Sequence, residues 1–138
     1  FPFLSIKDII KMVIIMIYYN PNPKGLRVDD CAIRALSKAL NKSWDDAFIA
    51  VTLEAYSMCN MPSGNSVWGN VLRQNGYTLR TVDDMCTVSE FCAAHDKGRY
   101  VLALNSHVVY AENGEYYDSW DSGDELIIYY WEDVNNGL

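Results

Sequence analysis

A chain of 138 residues suits one domain with one core, and with half its residues apolar it has enough to bury, which excludes disorder. The net charge is −7 and the 11 Lys and Arg are scattered, so no basic stripe exists to follow a phosphate backbone, and a nucleic-acid partner is excluded.

The chain opens on "FPFLSIKDIIKMVIIMIYY", which Lys7, Asp8 and Lys11 interrupt. The uncharged run 12–19 is too short to span a bilayer, and no small-residue cleavage pattern follows a basic start. Residues 1–19 are expected to be either an apolar strand at a sheet edge or a non-native extension, with Met12 or Met16 as the native start. Residues 20–138 are expected to form the single domain. "NPNPKG", 20–25, is turn punctuation.

In "VDDCAIRALSKAL", 28–40, Asp29 or Asp30 is the natural N-cap of a first helix. Steps of 100° place Ala32, Ile33, Ala35, Leu36, Ala39 and Leu40 on one arc, and Arg34, Ser37 and Lys38 fill the rest. Cys31 falls at the seam between the two faces, against the buried side yet reachable from outside. Ser43 caps a second helix over about 44–58, with Asp46 three residues on. A third runs over about 66–75 and stops at Asn75-Gly76. "YTLRTV", 77–82, alternates like a strand, and Thr87 with Glu90 forms a capping box for a short helix ending near Lys97-Gly98. "RYVLALN", "HVVYAE", "EYYDSW" and "ELIIYYW" then read as four strands. Helices first and strands last predict an α+β fold with an antiparallel sheet.

The cysteines are Cys31, Cys59, Cys86 and Cys92, with no C-x-x-C, and the histidines are His95 and His107. That inventory does not supply a zinc site, and without a secretory signal a reducing, cytoplasmic setting is expected. Cys59, Cys86 and Cys92 read as core or surface thiols, His95 as a helix C-cap and Trp68 as core. "DSWDSGDE" lacks the full calcium-loop spacing and reads as a solvated turn. The ten tyrosines and four tryptophans fit a sheet first and a peptide-binding cleft second.

Asn113-Gly114 between alternating runs is a type I′ hairpin signal. That turn sets Glu112 opposite Glu115, Val109 opposite Asp118 and His107 opposite Trp120, so these last four share one face, with Ser119 and Asp121 on the other. His107 and Asp118 are then diagonal neighbours about 7–8 Å apart, a gap two polar side chains can close. A carboxylate beside an imidazole favours the protonated ring, and an imidazolium or a helix N-terminus lowers a thiol pKa. Cys31, His107 and Asp118 thus supply a nucleophile, a general base and acid, and an orienter.

On "DDCAIRALSKAL" and "HVVYAENGEYYDSWDS" the chain resembles the papain-like cysteine peptidase superfamily over roughly 20–131. In size it is similar to compact bacterial or phage members such as the double-glycine leader peptidases. The resemblance implies a helical half carrying Cys31, packed on an antiparallel sheet carrying His107 and Asp118, with a cleft between. It also implies hydrolysis of a peptide or isopeptide bond in a peptide or protein substrate, through a thioester, with no cofactor, metal or membrane. Such enzymes usually carry Gln six residues before the Cys, where this chain has Gly25. Asn22, then Asn20, are the side-chain candidates for the oxyanion, beside the Cys31 backbone N–H. Trp120 is a candidate for the cleft wall. Asp30, next to Cys31, opposes thiolate formation except where it faces helix N–H groups. The alternatives are a transglutaminase-like acyl transferase and a non-catalytic binding module on the same scaffold.

Overall fold

A computed structural model describes residues 16–135, so expectations falling on 1–15 lie outside the described residues. In chain order these form β1 (Met16–Tyr18), α1 (Cys31–Ala39), α2 (Trp44–Ser57), α3 (Asn65–Gln74), β2 (Tyr77–Thr81), α4 (Val88–Ala94), β3 (Arg99–Leu104), β4 (His107–Glu112), β5 (Glu115–Asp118) and β6 (Ile127–Asp133). The fold is α+β.

Local chemistry accounts for most boundaries. The Ser43 hydroxyl accepts the Asp46 amide at the head of α2. Thr87 and Glu90 close the full capping box on α4, each satisfying an orphan N–H of the other's end. Gly76, at φ +90°, ends α3. The last helix stops at Ala94, short of Lys97-Gly98. His95 leaves helical geometry there, donates Nδ1–H to the Phe91 carbonyl and stacks on the Phe91 ring at 3.8 Å.

The strands make one sheet in the order β1-β5-β4-β3-β6-β2. It is mixed rather than purely antiparallel, because β1 runs parallel to β5, with Tyr18 beside Asp118. The first two strands of the described chain, β1 and β2, therefore supply the two edges of the sheet. Alternation along β3 and β4 divides the core. Val101, Ala103, Val108 and Tyr110 face α1, α2 and α3, packing with Leu36, Val51, Trp68 and Leu72. Leu102, Val109 and Ala111 face the other way, against Val88, Phe91 and Cys92 around α4. The expected helical half thus covers one face only. All four cysteines are free thiols.

The first helix is buried more completely than its apolar arc requires. Arg34 and Ser37, which lie outside that arc, are buried with Leu36 and Ala39. Ser37 donates to the Arg34 carbonyl, and its hydroxyl also meets the Tyr19 hydroxyl at 2.5 Å.

Contact between α3 and the sheet is close enough to require glycine. A Cβ on Gly69 would lie 2.9 Å from Cζ2 of the buried Trp131 ring. Gly69→Ala should therefore lower the unfolding free energy by about 1–3 kcal/mol through overpacking, seen as a lower urea midpoint.

Candidate active site

Cys31 is the first residue of α1, with Asp30 at the N-cap position and the thiol half-buried at the seam of the helix. The Asp30 side chain does not cap the helix, contrary to the sequence expectation. Both of its oxygens are taken elsewhere. Oδ1 accepts from Nη1 of Arg34, one turn on, and Oδ2 accepts from the Trp44 indole at 2.8 Å. Asp30 is therefore a buried, paired anion beside the cysteine and not a cap.

The hairpin brings the other two residues together. Asn113 and Gly114 both adopt positive φ, +50° and +82°, as a type I′ turn demands. The ladder pairs Glu112 with Glu115, Ala111 with Tyr116 and Tyr110 with Tyr117. His107 opens β4 and Asp118 closes β5. Nε2–H of His107 donates to Oδ2 of Asp118 at 2.6 Å, and both groups are buried.

The β4–β5 ladder ends at Tyr110–Tyr117, so the expected Val109–Asp118 and His107–Trp120 pairings are not part of it, and β5 ends at Asp118. Trp120 sits opposite His107 by ring contact and not by strand pairing. Its ring lies 4.5 Å from the imidazole and stays 41% exposed. Asp121, expected on the opposite face to Asp118, curls back, and its Oδ1 accepts from the Tyr116 hydroxyl and the Gly123 amide.

Asp118 accepts four hydrogen bonds. Oδ1 takes the Ser119 amide at 2.7 Å and Nη2 of Arg34 at 3.2 Å, and Oδ2 takes Ser122 Oγ–H at 2.7 Å besides His107. Burial alone would raise its carboxyl. The bonds from His107, Ser122 and Ser119 and the imidazole's charge outweigh it, and the pKa falls below 3.8. Burial likewise opposes a charged imidazole, yet hydrogen bonds to Asp118 and Cys31 and their charges raise His107 from 6.5 to about 9. For Cys31, burial raises the thiol. A hydrogen bond and charge from His107, the Val108 backbone amide and the charge of Arg34 more than compensate, so it lies below 9.0. Both shifts run toward the thiolate–imidazolium form of the pair. With Nε2 on Asp118, the remaining ring nitrogen, Nδ1, is the one available to the sulfur.

This pair lines a cleft of about 970 Å³. Trp120 forms part of its wall beside His107, and Trp44 and Phe48, stacked at 5.1 Å, form another part. Trp68 lines it too, but as a core residue, 1% exposed. Asn20 and Asn22 do not line the cleft, which corrects their assignment to the oxyanion. Their side chains hold the 20–26 turn together. Asn20 donates to the Leu26 carbonyl and accepts the Asn22 amide, while Asn22 accepts the amides of Lys24 and Leu26. Among the described residues the side-chain amide that lines the cleft is Asn65, already bonded to the Trp68 indole and the Tyr129 hydroxyl.

Sequence reasoning missed Arg34, Trp44 and Ser122 as supports of the site. The Asp30–Arg34 spacing of four was the available signal for the first of these. Among the described residues no cluster of His, Cys, Asp or Glu could hold a metal ion, and no helix is long and apolar enough to cross a membrane. No protein-family model, curated protein or solved structure matches the chain.

The four bonds to Asp118 make a stability prediction. Asp118→Ala strands a buried guanidinium arm and an imidazole, and should lower the unfolding free energy by about 3 kcal/mol. Ser122→Ala removes one neutral donor and should cost about 1 kcal/mol. Urea denaturation of the two variants measures both, and equal losses would contradict the central place given to the carboxylate.

Proposed function

We propose that the protein is a papain-like cysteine hydrolase that cleaves a peptide or isopeptide bond. The observation that carries this reading is the buried His107–Asp118 hydrogen bond beside Cys31 at the wall of one cleft, with the thiol lowered and the imidazole raised. A buried histidine satisfied for structural reasons alone needs no thiol partner at a cleft surface.

In this mechanism the Cys31 thiolate attacks the carbonyl carbon and the carbonyl π electrons move onto oxygen. The backbone N–H of Cys31, at the head of α1, is the donor available to that oxyanion. As the intermediate collapses, the C–N bond breaks and the His107 imidazolium gives its proton to the departing amine. A thioester remains. Water then attacks it while neutral His107 takes the water's proton. The acid leaves, and the sulfur departs as thiolate beside the re-formed imidazolium. Asp118 keeps the ring in one tautomer and orientation throughout.

Two of the features that favoured other readings weigh differently against the site. Asp30 no longer faces the thiol as a bare charge, since Arg34 and Trp44 take both its oxygens. The missing side-chain oxyanion donor still favours a binding module, and the same experiment separates the two readings. Acyl transfer differs only in the second nucleophile, and an added amine that appears in the product identifies it.

Cys31→Ala should abolish hydrolysis of peptide substrates and labelling by iodoacetamide at this position, with circular dichroism unchanged. His107→Ala should slow Cys31 alkylation at pH 6.5 by at least about 10-fold, because the thiolate loses its counter-ion. The hydrolysis rate should rise as the thiol ionises below 9.0 and fall as pH passes about 9, where the imidazolium is lost. Equal labelling of native protein and His107→Ala would overturn the reading.

A further inference from the structure

We propose that Arg34 is a positioning residue that clamps the helix carrying Cys31 to the carboxylate that orients His107, and that it cancels the charge of Asp30 beside the nucleophile. This rests on the catalytic reading of Cys31, His107 and Asp118. The guanidinium is buried, at 6% exposure, and its two arms go to different carboxylates: Nη1 to Asp30 and Nη2 to Asp118. Both carboxylates are buried as well, at 5% and 1%. One of them belongs to the residue before the nucleophile and the other to the far strand of the hairpin, 84 positions from Arg34 in sequence. Among the described residues, no other side chain hydrogen-bonds both carboxylates. The planar fork suits this task in a way an ammonium does not, because it offers separate donors at a fixed angle.

The charges around the thiol can be named from each element packed against it. The segment leading to α1 contributes Arg27, Asp29 and Asp30, α1 contributes Arg34, β4 contributes His107 and β5 contributes Asp118. Arg27 donates to the Ser119 carbonyl, and Asp29 is exposed at the rim. The buried members are two carboxylates, the guanidinium and the imidazole. Without Arg34, the imidazolium would be the single buried cation facing Asp30, Asp118 and a thiolate. Removing Arg34 therefore acts on the sulfur twice: it exposes Cys31 to an uncompensated Asp30, and it loosens the carboxylate that fixes the ring.

The test is the pH profile of Cys31 alkylation by iodoacetamide in the full chain. Cys59, Cys86 and Cys92 are replaced by Ser, Ser and Ala to isolate the signal. In that background, Arg34→Gln should move the thiolate midpoint up by about one unit, a roughly 10-fold slower reaction at any pH below it. Asp30→Asn should move it down. The double variant Asp30→Asn/Arg34→Gln should return toward the parent, since cation and anion leave together. A purely structural role for Arg34 predicts no opposite shifts and no recovery in the double variant. If the parent midpoint lies well below an ordinary thiol and Arg34→Gln does not raise it, the positioning role falls and the catalytic reading stands. If the parent itself titrates as an ordinary thiol, the catalytic reading falls and takes this role with it. Should Arg34→Gln lose its near-ultraviolet dichroism, Asp30→Asn alone decides, and an unchanged or raised midpoint there overturns the proposal.

Discussion

The hydrogen bond between His107 and Asp118 is the constraint on which the site depends. A carboxylate 1% exposed survives in an apolar interior only when donors meet its charge, and Asp118 meets four of them from α1, β4 and the turn after β5. The donors come from three separate pieces of chain, so the ion draws those pieces to one point. A neutral residue there would relieve the desolvation cost but would leave nothing to fix the imidazole. The arrangement gives up stability in the core to gain a defined ring orientation at the end of two strands.

Those strand ends matter because of how the sheet is covered. Helices lie on both faces, so the middle of the central strands β3 and β4 is apolar on both sides, as Val101, Leu102, Val108 and Val109 are. On β4 and β5 the site's polar side chains stand where the strands stop. His107 begins β4 and Asp118 ends β5, so the tight turn at Asn113-Gly114 places both at the end of the ribbon away from the turn itself. The head of α1 arrives at the same end, and the cleft forms where the helical layer and the sheet part.

Local chemistry made much of this legible in the sequence. The Asn113-Gly114 turn carried the register, and the register carried the meeting of His107 and Asp118. Ser43 and Thr87 marked helix starts because a short hydroxyl side chain meets orphan amides whatever the rest of the fold does. The seam position of Cys31 followed from the spacing of the alanines and leucines. Long-range competition for donors and acceptors was not legible. Asp30 is a good cap by type, but Arg34 and Trp44 compete for its oxygens, and the indole comes from another helix. Arg34 falls outside the apolar arc of α1 because periodicity counts a guanidinium as polar and knows nothing of Asp118, 84 residues away. Asn20 and Asn22 were chosen for proximity in sequence to Cys31, yet short amide side chains in a turn bind their own backbone first. The parallel β1–β5 pairing was invisible for a related reason, since alternation gives a strand but not its neighbour.

On the proposed reading of Cys31 as the nucleophile, an acid directly before it looks like a poor choice, since its charge opposes the thiolate. The geometry gives it a use. A guanidinium buried on α1 with Asp118 as its single partner would itself need compensation in an apolar setting. Asp30 supplies that compensation one helical turn away, where the i,i+4 spacing brings the two side chains together. Trp44 then fills the last acceptor of Asp30 and, stacked on Phe48, carries the apolar wall of the cleft up to the charged cluster. The same residue that threatens the sulfur electrostatically thus allows Arg34 to be buried, and buried Arg34 holds the carboxylate that holds the ring. Asp30 acts on its neighbour Cys31 through that chain of partners, so the sign of its effect is set by what else touches it and not by its own charge.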